Sequence, residues 1–142
     1  MRKFVIAISM AVLAVLGAMP PATALAVDFE WDFAVAGTLP PRSQLTCHSI
    51  EHVEICWEKA GDHWWVQDQN SNDNASAGVR WFNERNGSLY RKGYCITSLG
   101  KGKWGHCNKN YYENSTLSGF PCVWDRSSGE TIQCGPEGWR YQ

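Results

Sequence analysis

The sequence has no excess of either charge: thirteen Lys and Arg stand against fourteen Asp and Glu, a formal net charge of -1 over 142 residues. A sequence-wide basic field that would hold nucleic acid or an anionic membrane is thereby excluded. It also lacks an apolar run of membrane-spanning length. Residues 4–19 are apolar but stop at Pro20 and Pro21, after about sixteen residues where a spanning helix needs roughly 20. Internal repeats, low-complexity tracts and a sustained 3.6-residue period with caps are all missing, so solenoids, disordered tails and helix-rich folds are set aside. There is no Gly-x-Ser-x-Gly elbow for a serine nucleophile.

What is abundant is tryptophan and cysteine, eight and six respectively. The N-terminus places Arg2 and Lys3 before the apolar run, and Ala24 and Ala26 at the -3 and -1 positions of a cleavage site. This order predicts a secretory signal peptide over residues 1–26. Its removal leaves 116 residues with eleven cationic and fourteen acidic side chains, a mildly acidic secreted, extracellular protein.

Export decides how the cysteines are read. Cys47, Cys56, Cys95, Cys107, Cys122 and Cys134 are an even number in an oxidising compartment, which favours disulfides over metal ligation or a catalytic thiol. Six cysteines allow fifteen pairings, and consecutive couples bracket turn-like segments. The expectation is Cys47–Cys56, Cys95–Cys107 and Cys122–Cys134, each adding roughly 2 to 3 kcal/mol by restricting the unfolded chain.

Alternation predicts hairpins. Val53, Ile55 and Trp57 alternate with Glu54, Cys56 and Glu58, and a turn centred on Ala60-Gly61 sets Trp57 opposite Trp64, Ile55 opposite Val66 and Cys56 opposite Trp65. Ala77, Val79 and Trp81 lead to Asn86-Gly87, a type I′ turn signal, with residues 90–96 returning. A third hairpin is expected between residues 95–97 and 105–107, and a fourth pairs 120–125 with 131–134, with Cys122 opposite Cys134 and Trp124 opposite Ile132. Phe29, Trp31 and Phe33 alternate with acidic residues, either as a strand with one apolar face or as an arm. The predicted fold is all-β: a small disulfide-stabilised antiparallel β-sandwich or barrel of about eight strands with little helix. Residues 27–46 form an N-terminal arm or edge strand, and 47–142 the disulfide-bonded domain.

Asp68, Asn70 and Asn72 begin a calcium-loop pattern, but Asp73 stands where Gly is needed and Val79 where a closing Glu is needed, so the segment reads as a solvated loop. His48, His52, His63 and His106 have no paired zinc spacing, and no metal or cofactor is expected. Glu54 and Glu58 lie two alternating steps apart on one strand face and form a candidate carboxylate pair for glycan hydrolysis; the plainer reading is a solvated polar face. Arg85, Arg91, Lys92, Lys101, Lys103 and Lys109, interleaved with Tyr90, Trp104 and Tyr111, are candidates for a groove holding an anionic polymer. Asn74, Asn86 and Asn114 open glycosylation sequons, which matter only in a eukaryotic host.

The aromatic count exceeds what a small core can hold, since each large ring brings roughly 200 Å² and Trp and Tyr add a polar group needing a partner. Alternation assigns Trp57, Trp64, Trp81 and Trp124 to the core. Trp65, Trp104, Tyr111, Tyr112 and Trp139 are the candidates for an exposed ligand-binding surface, with packing against the Cys56 disulfide as the plainer reading for Trp65.

The signal ending in Ala24-Leu25-Ala26, together with Asp68, Ala75-Ser76-Ala77 and the run 99–105 within the Trp/Cys-rich stretch 57–112, resembles small exported proteins of Gram-positive actinobacteria. The resemblance implies bacterial origin and secretion and carries no assigned activity. The functional expectation is a monomeric, non-enzymatic binding protein for an extracellular glycan, a cell-envelope surface or a protein partner. A secreted hydrolase inhibitor acting through a disulfide-pinned loop at 100–103 or 68–75 is the alternative, and a small glycan hydrolase using Glu54 and Glu58 the third reading.

Overall fold

The computed structural model describes residues 26–70, 75–125, 127–136 and 138–141. Apart from Ala26, the signal-peptide reading lies outside the described residues, as do Asn72 and Asp73 of the polar loop. The described chain is all-β, as expected. Its strands are β1 (Asp28–Phe33), β2 (Val35–Ala36), β3 (Leu45–Ile50), β4 (Val53–Glu58), β5 (His63–Asp68), β6 (Ser76–Arg85), β7 (Ser88–Thr97), β8 (Trp104–Asn108), β9 (Thr116–Asp125), β10 (Glu130–Cys134) and β11 (Trp139–Arg140). A 3-10 turn at Arg42–Gln44 is the one helical piece among the described residues. One sheet runs β1-β7-β6-β9-β10, with β11 also on β9, and the other runs β2-β8-β5-β4-β3.

Period-2 alternation places one set of side chains from each sheet between the two. Val53, Ile55, Trp57, Trp64 and Val66 face Ala77, Val79, Trp81, Cys95, Leu117 and Val123 across the core. Trp57, Trp64 and Trp81 are fully buried, and Trp57 and Trp64 pack with ring centroids 5.0 Å apart. Their burial is the largest apolar contribution here, each ring removing on the order of 200 Å² from water.

The first hairpin has the expected register, Trp57 opposite Trp64 and Ile55 opposite Val66, although its connection is the four residues 59–62 rather than two. A four-residue loop with the same centre leaves the pairing unchanged. The second turns at Asn86-Gly87, both at positive φ, as a type I′ turn requires. All three disulfides are those expected. In the fourth hairpin Cys122 lies opposite Cys134, but Trp124 lies opposite Thr131 rather than Ile132, because an irregularity between Thr131 and Gln133 adds a residue to β10.

The third hairpin is corrected. Strands β7 and β8 belong to different sheets: β7 is already flanked by β6 and β1, and β8 by β5 and β2. Cys95–Cys107 therefore ties the sheets together, with its Cα atoms 6.0 Å apart, whereas the other two disulfides join neighbouring strands with Cα atoms 4.0 Å apart.

Residues 27–46 divide between the two sheets. Strand β1 lies parallel to β7, a pairing the sequence did not suggest in a sheet otherwise antiparallel. Two residues later β2 joins the second sheet beside β8. Gly93 permits the first docking: a Cβ there would stand 2.2 Å from the Glu30 carbonyl oxygen. The alternation in β1 is inverted from the usual sense. Glu30 and Asp32 point inward to Lys109, and Arg91 also pairs with Glu30, while Phe29, Trp31 and Phe33 face out.

Candidate functional site

The five aromatic residues expected at a binding surface fall into three environments. Trp65 and Tyr111 are buried, at 6 % and 4 % exposure. The segment around Gly37 crosses the outer face of the five-stranded sheet and covers Trp65, whose Nε1 donates to Glu58 at 2.8 Å and whose ring lies 4.7 Å from His106. Tyr111 sits inside the core, 5.6 Å from Trp57 and 5.3 Å from Trp81, and accepts a hydrogen bond from Trp64 Nε1. Burial pushes its phenol well above the usual range. Trp104 and Trp139 are half-buried, the first beside the Arg42 guanidinium and the second stacked on His48 at 4.3 Å. Tyr112 is 52 % exposed.

Around Tyr112 the chain forms two adjoining grooves. One of about 510 Å³ is lined by Arg85, Asn86, Ser88, Leu89, Tyr90 and Tyr112, with Ala26 at its rim. The other, of about 360 Å³, includes Asp28, Arg91 and Asn110 and shares Tyr90 and Tyr112 with the first. The two tyrosine rings stand 5.9 Å apart, and the Arg85 guanidinium lies 3.7 Å over Tyr112. The geometry is local in origin: the Asn86-Gly87 turn sets Arg85 and Tyr90 near the ends of β6 and β7, and the 109–115 connection brings Tyr112 beside them. Arg91 donates to the Asn110 carbonyl at 2.7 Å, which anchors that connection. The result is an aromatic floor with hydroxyl, amide and guanidinium groups around it, chemistry suited to a polar ligand with apolar faces.

The other sequence candidates are dispersed or occupied. Lys109 is buried against Glu30 and Asp32, with its ammonium 5.0 Å from the Trp81 ring, and Arg91 pairs with Glu30. Lys101 and Lys103 belong to a separate turn, so the six cations do not form one groove. Glu54 pairs with Arg42 and Glu58 lies 3.2 Å from His63. Glu58 also accepts a hydrogen bond from Trp65 Nε1, so each carboxylate is engaged by its own neighbours. Among the described residues Cys47, Glu54 and Cys56 converge as a metal site would, but the two sulfurs are bonded to each other.

The chain matches no protein-family model, no curated protein and no solved structure.

A second aromatic surface went unassigned in the sequence. Phe29, Trp31, Phe33 and Val35 are 55 %, 39 %, 52 % and 66 % exposed. Their signal was the alternation at odd positions, which marks an apolar face without saying whether it turns inward. Arg85 and Tyr90 are among the sequence candidates for an anionic-polymer groove, and the structure brings them together with Tyr112 instead of with the other cations.

Proposed function

We propose that this chain is a secreted binding protein that takes an extracellular glycan in the paired groove at Tyr90 and Tyr112. The observation that carries the reading is the sharing of these two rings by both grooves, with Arg85, Asn86 and Asn110 beside them. Sugar rings present apolar C–H faces that stack on aromatics and hydroxyls that pair with amide and guanidinium groups. The signal-peptide reading, which ends the leader at Ala26, the rim residue, fits a groove open in the exported form. The test is retention of the oxidised exported protein on insoluble peptidoglycan, chitin and cellulose. Saturable retention on one polymer, reduced about tenfold or more in folded Tyr112→Ala, is the expected result; no retention on any of them, or retention indifferent to Tyr90→Ala and Tyr112→Ala, overturns it.

An inhibitor reading has its own support in the 100–103 turn. Its four residues are exposed, Gly102 N–H donates to the Asp68 carbonyl at 2.7 Å, Gln67 donates to the Gly102 carbonyl, and Cys95–Cys107 closes the base. A loop held in this way loses little entropy on entering an active site. Slow, tight inhibition of a hydrolase by the intact protein, abolished by Lys101→Ala, is its expected signature, and rapid cleavage of the loop without inhibition counts against it.

A further inference from the structure

The outer face of the six-stranded sheet is built as a checkerboard of rings and cations. The pairing register sets Phe29, Lys92, Phe82, Ser118 and Arg140 in one row across β1, β7, β6, β9 and β11, and Trp31, Tyr94, Arg80 and Phe120 in the next. Trp31, Tyr94 and Trp124 form a packed triad, with centroids 4.5 to 5.2 Å apart, that supports the exposed rings from below. Trp124 is thus buried as expected, but in this second cluster rather than between the sheets. Arg80 lies 4.9 Å over Phe82. Phe29, Trp31 and Phe33 follow one another along the sheet margin over about 13 Å.

These two rows carry three cations and no carboxylate. The acidic residues of β1 are turned to the other side, where Lys109 and Arg91 neutralise them. The rings meet at 47° between Phe29 and Trp31 and at 74° between Trp31 and Trp124. Among the described residues these rows hold a shallow hollow of about 60 Å³, much smaller than the grooves at Tyr112. A second copy docked on the same face would bring its own Arg80, Lys92 and Arg140 against these cations.

We propose that this face docks on an anionic lipid bilayer, with Phe29, Trp31 and Phe33 entering the interfacial layer and Lys92, Arg80 and Arg140 meeting lipid phosphates. Exposed aromatic rings beside cations are the combination that the bilayer interface favours. The chain's small net negative charge does not oppose this at contact, because exposed charges further than about 8 Å are screened at physiological salt.

The test is co-sedimentation of the oxidised exported protein with phosphatidylcholine vesicles and with equimolar phosphatidylcholine and phosphatidylglycerol vesicles, at low and high salt. The expected result is partition to the anionic vesicles that weakens with salt, falls about tenfold or more in Phe29→Ser/Phe33→Ser, and loses its lipid preference in Arg80→Gln/Lys92→Gln. Phe29 and Phe33 are the substitutions of choice because both are half-exposed, and circular dichroism with intact disulfides confirms their folding. Tyr112→Ala leaves partition unchanged, which separates this face from the glycan groove. Absence of partition overturns the proposal. So does equal capture by lipid-free polyglutamate, which assigns the face to an acidic protein, and so does a concentration-dependent dimer abolished by the Phe substitutions without vesicle binding, which assigns it to a second copy.

Discussion

Lys109 has a side chain only 3 % exposed and an ammonium group held by Glu30 at 2.7 Å and by Asp32. Burial alone would raise the Glu30 carboxyl, but hydrogen bonds from Lys109 and Arg91 outweigh it and hold the group below its usual 4.5. A carboxyl depressed on folding contributes stability above its unfolded value, and that contribution is lost as pH falls through the lower folded value. The stability gap between wild type and Glu30→Gln is therefore expected near neutral pH and should close progressively as pH falls below the carboxyl's usual 4.5, as read from urea midpoints across that range. Lys109→Met, which leaves two carboxylates facing an apolar group, should cost about 1 to 3 kcal/mol at pH 7 and less in acid. A cost that stays constant with pH would show that the lysine stem, and not its charge, matters.

At the scale of elements, strand β1 depends on one position in its neighbour. A methyl group at Gly93 would stand 2.2 Å from the Glu30 carbonyl and 2.9 Å from the Trp81 ring, and the obstructing carbonyl is backbone. Gly93→Ala should thus lift β1 from β7 while leaving the β6–β7 ladder in place. Hydrogen exchange is the measurement: amides of residues 28–33 should lose protection while those of β6 keep theirs, and uniform protection would refute the view of β1 as a separately docked strand.

This division also marks what the sequence could reveal. The hairpins of β4 with β5 and β6 with β7 were legible because their turn residues and apolar alternation agree locally. The cysteine pairs are legible from spacing, but spacing alone does not separate a bridge within a hairpin from one between sheets, which is why β7 and β8 look like hairpin partners in the sequence and lie in different sheets in the fold. The parallel partner of β1 lies over sixty residues away, beyond any local signal. Burial of Trp65 and Tyr111 has the same origin: Trp65 is covered by the remote segment at Gly37, and Tyr111 enters the core from a connection that reads as loop. The groove at Tyr90 and Tyr112 joins a turn to that same connection, which no periodicity encodes.

Across the whole molecule, Cys95–Cys107 is the one disulfide that joins the two sheets. Loop entropy assigns it about 3 kcal/mol, similar to the others, but its loss has a different reach. Replacing both cysteines by Ala should lower the urea midpoint and also loosen the packing of Trp64 against Tyr111, seen as a change in near-ultraviolet circular dichroism below the unfolding transition. The pair Cys47→Ala/Cys56→Ala, at a sheet margin, should shift the midpoint and leave that aromatic signal intact. Equal spectral effects from the two variants would mean that the sheets are held together by apolar packing alone.

The parallel docking of β1 also sets an order of assembly. A ribosome makes this strand early, yet its ladder partner is the seventh strand and its ion-pair partner Lys109 follows Glu30 by 79 positions. Strand β1 therefore waits, with its rings and carboxylates idle, until the chain has been made as far as Lys109. Because seating brings two carboxylates to a lysine and an arginine, the docking of this strand should be steered by charge and slowed by dissolved salt.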